Sequence, residues 1–118
     1  MSTPVGPYTP IVRAGDWLVV SGQAGQVGGA LVDGGIHAEA RQALANLEGL
    51  LEGQGAGLRN VVKTTVFLRH ISDYPVMNEV YVEAFGGHAP ARSAVAVANL
   101  PLGALVEIEA WAWVGGGT

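Results

Sequence analysis

The sequence predicts an α+β sandwich: one sheet with two helices on one side, its other side meeting further copies of the chain. Three observations lead there. Apolar periodicity runs in the order strand, strand, helix, strand, helix, strand, strand. The last strand is apolar on both faces. Charged residues are 14% of the chain and apolar residues 49%, where about 25% charge is usual. A small domain has a large surface to cover, so one with so few charges hides part of it in subunit contacts. At 118 residues the chain is expected to be a single domain spanning 1–118.

Residues 1–10 are rich in proline and glycine and read as an extended arm. Trp17-Leu-Val-Val-Ser21 is a short β-branched run and reads as a strand, and the glycine-rich stretch Gly22 to Gly35 as a hairpin or loop. A helix is expected from about His37 to Gln54, with Ala40, Leu44, Leu47 and Leu51 as its apolar stripe and Gly53, Gly55 and Gly57 as its stop. Val61 to Leu68 is rich in valine and threonine and reads as a strand. Ser72-Asp73-Tyr74-Pro75 starts a second helix, because proline in a first turn lacks only an N–H that would have no partner there. Met77, Tyr81, Ala84 and Phe85 form its stripe, and Gly86-Gly87 ends it. Two strands follow, about Arg92–Asn99 and Leu105–Val114, joined by Leu100-Pro-Leu-Gly-Ala104.

On the last strand, Leu105, Glu107, Glu109, Trp111 and Trp113 share one face, and Val106, Ile108, Ala110, Ala112 and Val114 the other. Both faces are expected to be buried, yet one helical layer covers only one. A neighbouring subunit is the simplest cover for the second. Two readings stand for its glutamates: carboxylates reaching solvent at a strand end, or a carboxylate lining a pocket at the subunit boundary, held near an arginine.

Several functions are excluded. The net charge is −4, Lys63 is the single lysine, and the arginines are scattered singly, so no basic stripe exists to follow nucleic acid. The absence of cysteine removes disulfides, thiolate metal sites and a cysteine nucleophile. No leader pattern opens the chain and no apolar run approaches the roughly 20 residues of a membrane helix, so a soluble cytoplasmic protein is expected. His37, His70 and His88 show no ligand spacing and read as solvated side chains, so no metal site is expected. The glycine-rich stretch holds neither GxGxxG nor GxxxxGK[ST], and Ser21 lacks a GxSxG context. Lys63, on a strand beside threonines, reads as an exposed structural residue rather than a Schiff-base lysine.

What remains is Pro90-Ala-Arg-Ser-Ala-Val95, then Leu100-Pro101, then Val106-Glu-Ile-Glu-Ala110. These segments resemble the C-terminal signature of the YjgF/RidA reactive-intermediate deaminases. The resemblance covers nearly the whole chain: Gly6-Pro7-Tyr8, Ser21-Gly22-Gln23, Arg41-Gln42 with Asn46-Leu47, Val62 to Phe67, and Asn78 with Tyr81 fall in the family's order. It implies a chorismate-mutase-like fold with a mixed sheet and two helices on one face. It also implies a homotrimer whose sheets form a central barrel, with sites between subunits. The implied reaction is hydrolysis of a small 2-imino acid to a 2-keto acid and ammonia, without metal or cofactor.

By the same resemblance, Arg92 binds the substrate carboxylate and Glu107 positions and activates water. Tyr8, Ser21, Gly22, Asn78 and Ala94 line the substrate pocket, and Glu109 is structural. A guanidinium fork suits a planar carboxylate, and one carboxyl group can serve both water delivery and proton supply. Two departures stand out. Ala94 occupies the position where many members carry cysteine, and Ala24-Gly25 replaces an apolar residue and a proline, which bears on the side-chain size the cleft admits. Two other activities on this fold are a non-catalytic trimeric protein binding small carboxylates and a ribonuclease. Retention of both Arg92 and Glu107 favours the enzyme over the first, and the acidic balance opposes the second.

Overall fold

The computed structural model describes residues 6–116. Its main sheet has five strands: β1 (Ile11–Ala14), β2 (Trp17–Ala24), β5 (Val61–Leu68), β6 (Ala91–Ala96) and β7 (Val106–Trp113). Their spatial order is β1-β2-β7-β5-β6. The β5–β6 pair is parallel and the other neighbours are antiparallel, so the sheet is mixed. β3 (Gln26–Val27) and β4 (Ala30–Leu31) form a separate small hairpin within the glycine-rich stretch. Two helices complete the fold, α1 (Gly35–Glu52) and α2 (Tyr74–Phe85). The parallel pair follows from α2 crossing between β5 and β6, as parallel neighbours require.

β1 was not expected. It is four residues long and mostly exposed, so it has no periodicity to announce it. A turn at Gly15, whose φ of 61° suits glycine, folds it back onto β2. Of the extended arm expected over 1–10, residues 1–5 lie outside the described residues, and 6–10 are irregular. β2 does not stop at Ser21 but continues to Ala24, and β6 ends at Ala96 rather than Asn99.

Both helices lie on the same side of the sheet. Ala40, Ala43, Leu44, Leu47, Leu50 and Leu51 of α1 join Leu18 and Val20 of β2 and Val106, Ile108, Ala110 and Ala112 of β7 in one core. From α2, Met77, Val80, Tyr81 and Phe85 face inward, while Ala84, expected in the stripe, is exposed. The core positions are 77, 80, 81 and 85, so Val80 takes the place expected for Ala84 and the stripe stays four residues wide.

The opposite sheet face has no helix on it. Trp111 and Trp113 remain 45% and 41% exposed. Trp17 packs edge-on against both, with centroids 5.9 and 5.0 Å away. Within the chain, therefore, only one face of the last strand is buried; the expectation that both would be is not met by a single copy.

Candidate active site

A bulge in β2 shapes the first cleft. Val20 stands opposite Ala110 and Gln23 opposite Ile108, so Ser21 and Gly22 together span the single residue Glu109. The extra residue bends the strand, as bulges near functional sites do. Tyr8, Ser21, Gly22, Pro101 and Glu107 then surround a cleft of about 250 Å³. Ser21 closes its rim: its N–H donates to the Pro10 carbonyl at 2.8 Å and its hydroxyl to the Thr9 carbonyl at 2.9 Å.

Gly22 has a definite steric duty. A Cβ there would overlap the Glu107 carboxylate, with Cδ only 2.7 Å away. The Glu107 carboxyl lies half-buried, and burial pushes its pKa above the ordinary carboxylate value; the like charge of Glu109 pushes the same way.

Behind this cleft, buried polar groups of α1 brace the strands. The Asn46 amide donates to the carbonyls of Ala24 and Gln26 at 3.0 and 2.9 Å. The buried Glu39 accepts a bond from the Leu105 N–H at 2.9 Å, two residues before Glu107. Gly25 lets the chain pass close to that helix, since a Cβ would lie 2.5 Å from Glu39 Cα.

Arg92 occupies a second cleft, of about 550 Å³, between α2 and the segment leading into β6. Its Cα partner on β5 is Thr64, which is fully buried on the helix side. Asn78 Oδ1 accepts from Nη1 at 2.8 Å and the Tyr74 hydroxyl accepts from Nη2 at 2.9 Å. The guanidinium lies 4.8 Å from the Tyr81 ring centroid and 5.4 Å from that of Tyr74. Tyr81 is itself anchored, its hydroxyl 2.6 Å from Thr64 Oγ1. Burial raises the Tyr81 pKa, against the opposing pull of the Thr64 bond and the Arg92 charge.

Every one of these Arg92 partners is neutral. Among the described residues the ion pairs are Arg13 with Asp16 and Arg41 with Glu83, and no carboxylate lines the Arg92 cleft. A half-buried cation without a counter-charge is an anion-binding arrangement.

The expected site residues thus fall into two groups. Tyr8, Ser21, Gly22 and Glu107 meet at one cleft, Asn78 and Arg92 at the other. Glu107 pairs with Phe67 and Arg92 with Thr64, so the two project from opposite faces of the sheet, with β5 between their strands. Ala94 joins neither cleft; it packs against the core beside Val66. His37 and His70 are exposed, but His88 is not a solvated side chain, because its Nε2–H donates to the Val61 carbonyl at 2.6 Å. Lys63 is half-buried and donates to Ser93 Oγ at 3.0 Å. Among the described residues no three histidines or carboxylates gather as metal ligands, and no helix is long and apolar enough to cross a membrane.

Sequence reasoning overlooked Tyr74, Thr64, Pro101 and Glu39 as site residues. Tyr74 was detectable, because residues 74, 78 and 81 recur at the spacing of one helix face.

The α+β chain thus has a bare sheet face, an arginine without a counter-charge in one cleft and a carboxyl of raised pKa in another. Known proteins place it further. Residues 1–114 match the family model described as endoribonuclease L-PSP. A mouse protein named 2-iminobutanoate/2-iminopropanoate deaminase is 46% identical over 108 residues, 90% of this chain and 80% of that protein. A RutC family protein of Pyrococcus horikoshii is 44% identical over 112 residues, covering 93% of this chain and 89% of its own. The crystal structure of RidA from an Antarctic Psychrobacter superposes with a TM-score of 0.91 at 38% identity, covering 95% and 92% of the two chains. The chain belongs to this L-PSP family, the YjgF/RidA proteins.

Proposed function

We propose that this protein is a deaminase that hydrolyses 2-imino acids to 2-keto acids and ammonia, at sites each built from two neighbouring subunits of a homotrimer. Relatives 43–46% identical over 90% of the chain, from mammals and a mite, bear the name of that activity. The observation that carries the reading is Arg92: held in fixed geometry by neutral partners, open to a cleft, and without a counter-charge.

Arg92 and Glu107 serve one substrate only if they come from different copies, because one chain sends them to opposite faces. The exposed tryptophan face supplies the contact surface. The substrate carboxylate pairs with the Arg92 fork, which aims the C=N carbon into the cleft. Glu107 takes a proton from water as the oxygen bonds to that carbon of the protonated imine, giving a neutral tetrahedral carbinolamine. It returns the proton to nitrogen, the C–N bond breaks, and the departing ammonia takes up the hydroxyl proton as the keto group forms, leaving as ammonium. A carboxyl raised by burial is suited to hold that proton between the two steps. Tyr8, Ser21 and Gly22 form the wall around Glu107, and Asn78 fixes Arg92.

The test is a coupled assay in which an amino-acid oxidase generates imines from alanine or 2-aminobutyrate and keto-acid formation is followed. Acceleration by the wild type, its loss in Arg92→Ala, a poor Arg92→Lys, and a kcat lowered by roughly 10²–10⁴ in Glu107→Gln would support the assignment. No acceleration by the wild type would overturn it.

A further inference from the structure

We infer that Tyr74 belongs to the ligand site, pinning the Arg92 guanidinium and donating its own hydroxyl proton to the carboxylate that the guanidinium binds. This rests on the reading of Arg92 as the carboxylate grip.

Tyr74, Asn78 and Tyr81 follow one another at i, i+4 and i+7, so α2 presents them as a row beneath Arg92. Their hydrogen-bonding capacity differs along the row. Tyr81 is 7% exposed, and its hydroxyl is engaged with Thr64. Asn78 uses its carbonyl oxygen on Nη1. Tyr74, at the first position of the helix, is 37% exposed. Its hydroxyl oxygen accepts from Nη2 at 2.9 Å, and no described residue accepts its proton. Tyr74 is therefore the most exposed member of the row, with an unused hydroxyl proton beside Nη2, while the Asn78 amide keeps its N–H donors on the Nη1 side.

The placement suits one ligand class. A phenol oxygen that accepts from a guanidinium is polarised, so its O–H becomes a better donor. A carboxylate oxygen bonded to Nη2 comes within reach of that O–H, and each carboxylate oxygen accepts more than one bond. Beyond this contact, β6 is an edge strand paired only to β5, so the backbone on its far side gives the Arg92 side chain no wall. Tyr74 and Asn78 take one bond from each terminal nitrogen and thereby fix the plane in which the fork meets its ligand.

The experiment uses 2-oxobutanoate as the probe, bound to the whole protein by calorimetry, together with imine turnover. Tyr74→Phe keeps the ring and deletes the hydroxyl. It should weaken 2-oxobutanoate about tenfold and raise KM in step, with kcat within about twofold and thermal melting unchanged, since charge-assisted bonds outweigh neutral ones. A purely structural ring contact would leave both constants in place. Arg92→Ala and Arg92→Lys are measured alongside. If both arginine variants lose affinity while Tyr74→Phe binds within twofold of wild type, the inference on Tyr74 is overturned and the Arg92 reading stands. A Tyr74→Phe protein with lowered kcat and unchanged KM also overturns it. If the arginine variants bind 2-oxobutanoate normally, both readings fall together.

Discussion

Gly22→Ala isolates the position of one carboxylate without touching its chemistry. The added Cβ would overlap the Glu107 carboxylate and lie 2.7 Å from Cδ and 2.9 Å from Cγ. Carbon atoms settle at about 3.5–4.0 Å, so the carboxyl group has to retreat by roughly 1 Å. The cleft is open on that side and the carboxylate is the mobile end of its side chain, so the group moves and the strand does not. Gly22 is not among the glycines with positive φ, hence alanine adds no backbone strain there. Stability should hold or rise slightly, by up to about 1 kcal/mol through the unfolded chain. Turnover should suffer far more, because about 1 Å of misplacement of a reacting group costs on the order of 10²-fold. The assay pairs thermal melting and 2-oxobutanoate calorimetry with imine turnover. The expected result is intact folding, keto-acid affinity within about fivefold, and kcat down about 10²-fold. A Gly22→Ala protein turning over within about threefold of wild type would refute the reasoning.

Three further outcomes are expected. Burial first and the Glu109 charge second hold the Glu107 carboxyl above its ordinary value. If its ionised form delivers water, activity is lost as pH falls through that raised pKa. Glu109→Gln removes a like charge and lowers the pKa, so the acid limb of kcat/KM should move to lower pH with the plateau nearly kept; a limb that stays or rises contradicts this. Sedimentation equilibrium should give about three times the 12.1 kDa chain mass, and Trp111→Glu on the bare face should shift it toward the monomer; a monomeric wild type would sink the two-subunit site. Asn46→Leu leaves the Ala24 and Gln26 carbonyls without their donor and should cost about 2 kcal/mol, or roughly 8 °C of melting temperature, with the site chemistry otherwise intact.

Residue patterns carried much of this protein. The leucine spacing of α1, the Tyr74-Pro75 start of α2 and the valine-rich β5 were legible because each is long enough for its period to repeat. The family motifs pointed to Arg92 and Glu107. Alternation along the last strand separated Glu107 from the core positions Val106 and Ile108, and the structure keeps that separation.

Sequence could not reveal what depends on register. β1 is too short and too exposed to announce itself, and it exists through its pairing with β2. The bulge at Ser21-Gly22 is a shift of one residue, invisible to periodicity, yet it brings both residues to Glu107. The sides of the sheet taken by Arg92 and Glu107 follow from the pairings of Thr64 with Arg92 and Phe67 with Glu107, across strands distant in the chain. The local pattern of each strand determined which residues share a face. Only the tertiary pairing decided which faces coincide, because a one-residue slip reverses every side chain of a strand.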